Sequence, residues 1–296
     1  MTAATARQAS ARDQTATPLR VGIKTAQMGG SYQQMREAWL EADALGFDTA
    51  WGHDHLLNQN DLSAPEEEGW SILAALLALT RRIRGGLMVT ANTFRHPAVL
   101  AKMATTIDRI SGGRLEVGLG AGWFEAEHEQ YGLPLPRMGE RLRRLEEACQ
   151  VLKALWTERR ATVEGQYYQV REAYHEPKPV QRPHPPLVIG GKGEKVLLRI
   201  AARYANEWNL ASGTPDEFRH KSRVLDEHCH AVGRDPAEIE RSIQFLPEAM
   251  QGDIVARARA CVAAGATHLI FTCPVPYGAE GARWLWREVV TRVRDG

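Results

Sequence analysis

The stretch Ala44-Leu45-Gly46-Phe47-Asp48-Thr49-Ala50-Trp51-Gly52-His53-Asp54-His55 decides the fold. A helical pattern over Tyr32–Leu45 stops at Gly46, which can adopt the left-handed conformation that ends a helix. A short apolar strand, Thr49–Gly52, follows at once and runs out into three titratable residues. The helix–glycine–strand joint recurs as Ala264-Gly265-Ala266. Helices that return the chain to strand after strand are the connections of a parallel sheet.

Outward from this joint, strands are predicted over Arg20–Thr25, Thr49–Gly52, Gly86–Val89, Leu115–Leu119, Leu187–Ile189, Trp208–Leu210, Ser242–Leu246 and His268–Thr272. Helices are predicted over Tyr32–Leu45, Trp70–Thr80, Pro97 to about Ile110, Gly139–Trp156, Glu194–Tyr204, Pro215 to near Gly233, Ile254–Ala264 and Ala282–Val293. Ser31 with Gln34 and Thr214 with Glu217 read as capping boxes. Pro97 and Pro215 stand at first helical positions, where a missing N–H costs nothing. Eight strands, each followed by a helix, imply an α/β fold closed as a (β/α)8 TIM barrel. A doubly wound open sheet is the alternative. Ala161–Ala173 alternates around Gly165 and reads as an inserted hairpin, within an insertion of about residues 157–185. The expected organisation is a disordered leader, residues 1–18, and one barrel domain, residues 19–296.

The chain has 296 residues, 44% hydrophobic and 25% charged, enough for a sizeable core. Its formal net charge of +1 argues against a general nucleic-acid or polybasic membrane binder. No apolar run of about 18 residues is present to span a bilayer, and residues 1–18 contain no signal-peptide apolar region. Cys149, Cys229, Cys261 and Cys273 form no CxxC pair, so a reduced, cytoplasmic protein is expected.

Barrel chemistry sits at the C-terminal ends of the strands. The second strand ends His53-Asp54-His55, three titratable groups that are expensive to bury without purpose. Satisfied histidines around a capping Asp54 are one reading, and an H-x-H metal site is another. No other strand end supplies obvious further ligands, so no metal is expected. After the third strand, Asn92 and Arg95 are candidate donors in a pocket wall. The fourth runs into Gly118-Leu119-Gly120-Ala121-Gly122-Trp123, where missing Cβ atoms would let a flat ring approach the backbone, or would serve tight packing. The fifth ends Gly190-Gly191-Lys192-Gly193-Glu194, a glycine-rich run opening a helix and suited to a phosphate.

Together these segments resemble the bacterial luciferase-like superfamily, in its branch of coenzyme F420 (deazaflavin)-dependent oxidoreductases. The likeness is carried by Phe47-Asp48-Thr49-Ala50-Trp51 with Asp54-His55, by His96-Pro97-Ala98-Val99-Leu100-Ala101-Lys102, by Ser111-Gly112-Gly113-Arg114-Leu115 with Gly120-Ala121-Gly122-Trp123, and by Pro186 through Lys195. The resemblance implies that Asp54 and His55 border the deazaflavin ring and the substrate. It places a non-prolyl cis peptide at Leu87-Met88, behind the ring. It implies that Ala121 and Gly122 line the ring, and that Gly190, Gly191, Lys192 and Gly193 bind phosphate. The family often has a carboxylate where this chain has Trp123, with Glu125 and Glu127 just beyond; that departure counts against a sugar-phosphate dehydrogenase.

The expected activity is hydride transfer between F420 and a small organic substrate, with His55 as proton donor or acceptor, oriented by Asp54. The alternatives are an FMN-dependent monooxygenase of the same superfamily, a metal-dependent barrel hydrolase using His53 and His55, and a non-enzymatic flavin-binding barrel. Tyr167 and Tyr168 in the hairpin are expected to be exposed and to suit a homodimer contact.

Overall fold

The computed structural model describes residues 18–25, 30–274 and 278–295; residues 1–17 of the expected leader lie outside the described residues. The chain runs β1 (Arg20–Lys24), α1 (Tyr32–Leu45), β2 (Thr49–Gly52), α2 (Gly69–Leu79), β3 (Arg84–Leu87), β4 (Thr90–Ala91), α3 (Pro97–Ile110), β5 (Leu115–Gly120), α4 (Glu125–Gln130) and α5 (Met138–Thr157). It continues through β6 (Ala161–Glu164), β7 (Gln169–Ala173), β8 (Leu187–Gly190), α6 (Leu197–Tyr204), β9 (Glu207–Leu210), α7 (Pro215–Ala231), β10 (Glu240–Phe245), α8 (Ile254–Ala263), β11 (His268–Thr272), α9 (Ala279–Leu285) and α10 (Thr291–Arg294). The strand order β3-β2-β1-β11-β10-β9-β8-β5 closes because β5 pairs back onto both β3 and β4. Every barrel pairing is parallel. The fold is therefore the closed (β/α)8 barrel and not the open sheet.

Local chemistry sets the joints. Ser31 Oγ accepts from the Gln34 N–H while the Gln34 side chain accepts from the Ser31 N–H, and Gly46 closes the same helix at φ +110°. Two expectations shift. The third barrel strand is broken: β3 stops at Leu87, a cis peptide joins Met88 to Val89, and the strand resumes as β4. The cis bond thus lies one peptide beyond the place the resemblance gave it. The helix expected from Glu194 begins at Leu197, after a turn over residues 194–196.

Strand side chains alternate between the helix layer and the barrel axis. The axis is filled in three storeys. At the N-terminal end Arg20 reaches Glu116 (2.5 Å), Glu240 (2.6 Å) and Glu207 (3.5 Å), and His268 lies 3.1 Å from Glu207. The middle storey is apolar: Trp51, Met88, Val188 and Ile270 pack together, with Val89 against them. The upper storey, described below, is polar.

Glycines make room for this filling. A Cβ on Gly118 would stand 1.9 Å from the Leu87 carbonyl oxygen, and one on Gly120 or Gly190 would stand 2.5 or 2.6 Å from Val89. Those glycines admit the broken third strand, so Gly118, Gly120 and Gly190 serve tight packing.

The inserted hairpin is present, with β6 antiparallel to β7. Of its tyrosines one is buried and the other half-buried. Tyr168 is 7% exposed and its hydroxyl accepts from Asn92, while the Arg144 guanidinium lies 4.7 Å over the Tyr167 ring. The expected exposure of Tyr168 is thus not found, while Tyr167 is half-buried. No helix among the described residues is long and apolar enough to cross a membrane.

Replacing Gly118 by Ala is expected to cost about 3 kcal/mol or more in urea unfolding, since the clash is with backbone that cannot rotate away. Gly139→Ala in α5, whose Cβ would meet Arg143 at an ordinary 3.7 Å, should instead stabilise by up to about 1 kcal/mol. Equal effects of the two changes would refute the packing role of Gly118.

Candidate active site

The mouth of the barrel gathers the ends of β2, β4 and β5. His55 projects from the end of β2, and both carboxylate oxygens of Glu127, in α4, lie 3.1 Å from its Nδ1. A carboxylate can only accept, so Nδ1 carries a proton, and Nε2 faces the Gln59 amide at 2.5 Å. Glu127 is buried and also accepts from the Leu56 N–H at 3.0 Å. Trp123 and Phe124 flank the imidazole, each with its ring centroid 6.0 Å away. Trp123 is 60% exposed, an unusual setting for a large aromatic.

Asp54 does not orient His55 by any hydrogen bond here. Its carboxylate is clasped by Arg95, at 2.5 and 3.1 Å. Burial pushes the Asp54 carboxyl up, and the guanidinium pulls it only part of the way back. The sequence supplied Asp54, His55 and Arg95 as candidates, but not the pairing. Glu127 in the orienting role was missed; the only signal was its position just after the fourth strand.

His53 is 4% exposed and its Nε2 lies 2.6 Å from Glu66. Burial, and then the neighbouring His55 and Lys24, hold the His53 imidazole well below its usual range. Burial, followed by Glu127 and Glu67, raises Glu66 to about 7. Both histidines are thus engaged by carboxylates. Among the described residues, the one group of three potential metal ligands is Glu207, Glu240 and His268, at the opposite end of the barrel. That arrangement does not build the metal centre on His53 and His55 that a barrel hydrolase would need.

The remaining candidates are placed as follows. Leu87 and Met88 are buried at the end of the third strand, Met88 within the apolar storey. Asn92 is 4% exposed; its Nδ2 donates to Tyr168, and its buried Oδ1 has no partner among the described residues. Asn92, Thr93, Phe94, Arg144, Tyr167 and Tyr168 line an open cleft of about 370 Å³ beside the mouth. Ala121 and Gly122 are half-buried, and the Gly122 carbonyl accepts from Arg141. In the β8 loop the Gly191 N–H donates to the Asn209 carbonyl at 3.0 Å. The Lys192 and Gly193 N–H groups meet no protein acceptor among the described residues. The Lys192 ammonium is largely exposed, 4.0 Å from Glu217.

The fold and this mouth define a TIM barrel of the luciferase-like type. Over residues 9–286 the chain matches the family described as luciferase-like monooxygenase, and it belongs to that family. It is 33% identical over 229 residues to an F420-dependent glucose-6-phosphate dehydrogenase of Microbacterium testaceum, covering 75% of this chain and 66% of that one. It is 30% identical over 201 residues to the FMNH(2)-dependent dimethylsulfone monooxygenase of Pseudomonas putida, covering 65% and 54%. The matches thus span between about half and two thirds of the relatives' lengths. The F420-dependent tetrahydromethanopterin reductase of Methanopyrus kandleri superposes with a TM-score of 0.79, covering 93% of this chain and 99% of that one. At 19% identity that likeness is one of fold.

The Glu66 carboxyl sits above its ordinary value, so its buried seat favours the protonated form. Its contribution is fully present below about pH 4.5 and is lost as pH rises through about 7. Amide exchange across the loop of residues 57–68, corrected for intrinsic rates, should therefore quicken between about pH 5 and about pH 8. Glu66→Gln should flatten that dependence; an unchanged dependence in the variant would assign it to another group.

Proposed function

We propose that the protein is an oxidoreductase that moves a hydride between coenzyme F420 and a small organic substrate. The observation that carries this reading is the buried Glu127 carboxylate bracing Nδ1 of His55 beside the Asp54–Arg95 pair, at the catalytic end of the barrel. The residues present fit the cofactor. The Lys192 and Gly193 amides are available to a phosphate, and a Cβ on Gly193 would meet only Leu197, at 3.6 Å. Gly190, Gly191, Lys192 and Gly193 would hold the phosphate end. Leu87, Met88, Asn92, Ala121 and Gly122, with Asp54, would border the ring.

Bound there, the deazaflavin supplies the carbon that gives or accepts hydride. The protein's own work is positioning, water exclusion and proton handling. Glu127 fixes the proton on Nδ1, so Nε2 of His55, which the Gln59 amide meets at 2.5 Å, would take up or give the substrate's proton once the substrate displaces that amide. The adjacent carboxylate stabilises the imidazolium that forms. Asp54 is held by Arg95 and contributes a fixed charge to the mouth rather than the His55 hydrogen bond.

The second reading is an FMN-dependent monooxygenase, favoured by the dimethylsulfone monooxygenase relative. Anaerobic titration with reduced F420 and with reduced FMN separates the two. Binding of F420, with FMN at least about tenfold weaker, is the expected result; FMN binding without F420 affinity overturns the first reading. Replacement of His55 by Ala should lower turnover at least about a hundredfold while cofactor affinity stays within about threefold. Wild-type turnover in that variant would remove His55 from the mechanism.

A further inference from the structure

Strand β1 carries two cations into the barrel axis, and they are treated oppositely. Arg20 at its first position meets three carboxylates, Glu116, Glu207 and Glu240. Lys24 at its last position meets none: among the described residues it forms no ion pair, and its Nζ makes one hydrogen bond, to Gln244 Oε1 at 2.7 Å. The residue between them on that face, Gly22, would put a Cβ against Thr49, His268 and Ile270, which confirms that this face looks inward.

The partner of Lys24 is held in orientation from below. Ser242 Oγ donates to the Trp208 carbonyl at 3.2 Å and accepts from Asn209 Nδ2 at 2.9 Å. Asn209 Oδ1 then accepts from Gln244 Nε2 at 2.6 Å. That leaves Gln244 Oε1 turned to Lys24, a neutral acceptor fixed where a carboxylate would have neutralised the ammonium. An ammonium has three donors, so two of those on Lys24 have no protein acceptor among the described residues. Burial lowers the Lys24 amine to about 8, and its charge is one of those acting on His53. A desolvated cation without a counter-ion is costly, and elsewhere this chain avoids the cost: the buried Lys221 has Glu194 at 2.9 Å.

We infer that Lys24 is an anion anchor in the barrel mouth, taking a negatively charged oxygen of the molecule that binds there. Two sources share that chemistry: a carboxylate or enolate of the substrate, and the anionic pyrimidine edge of a reduced flavin-type ring. The inference rests on the reading of the mouth as the reaction site but not on which cofactor serves it.

The test begins with cofactor-free protein, so that its outcome is separate from the cofactor assignment. Reductive methylation with ¹³C-formaldehyde gives a Lys24 dimethylamine signal, assigned by its loss in Lys24→Met. Sodium acetate, added at constant ionic strength, should move that signal saturably and leave the methylated Lys102 signal in place. A Lys24 signal that acetate does not move overturns the anchor. With the anchor shown, the affinity of unmethylated Lys24→Met for each reduced cofactor locates the anion. A loss of at least about tenfold, restored in part by Lys24→Arg, assigns it to the ring. Unchanged affinity assigns it to the substrate. The charge removed is an unpaired one, so Lys24→Met should melt no lower than the wild type; should that variant not fold, loss of the signal in Lys24→Arg supplies the assignment.

Discussion

An eight-stranded barrel must fill its axis from side chains that all converge on one line, and the rest of this structure depends on how that is done. At the N-terminal storey Arg20 is surrounded by carboxylates. Trp51, Met88, Val188 and Ile270 seal the middle. A tryptophan and a broken strand fit inside only because Gly86 and Gly118 carry no Cβ: one on Gly86 would stand 2.7 Å from the Trp51 ring. The apolar seal separates two polar ends with different duties. At the lower end the cation has three carboxylates, whereas at the upper end, among the described residues, Lys24 has none and the Asn92 oxygen has no partner.

The mouth also gathers groups that are far apart in the chain. Parallel strands deliver consecutive side chains there from loops that need not pair with one another, so groups distant in sequence can meet. His55 and Glu127 are 72 residues apart, and Asp54 and Arg95 are 41 apart. Each carboxylate is committed to one cation or imidazole, so the two acids perform different tasks despite adjoining sites.

The barrel was legible because its signals are local. Ser31, Gly46, Pro97, Thr214 and Gly265 each act within a turn of helix, and such devices read directly from neighbouring residues. The glycine-rich segment was less transparent. A missing Cβ announces that something comes close, but not what. At Gly118, Gly120 and Gly190 the visitor is the chain itself, through Leu87 and Val89. Tyr168 misled in a similar way: an aromatic in a short alternating hairpin looks like surface until Asn92 is found beneath its hydroxyl. The separate likenesses to F420-dependent and FMN-dependent relatives show the same limit at the level of chemistry, since both cofactors present a phosphate and a tricyclic ring to one loop.

By itself the sequence determined the alternation of strand and helix, the closure into eight units, and the strand ends where titratable residues collect. These follow from periodicity, capping and turn chemistry, which act between residues a few positions apart. Only the tertiary structure decided the partners: Glu127 for His55, Arg95 for Asp54, Glu66 for His53, and a neutral glutamine for Lys24. The reason is physical. Hydrogen bonds and ion pairs act over a few ångströms, and distances of that order between segments exist only once the barrel has closed.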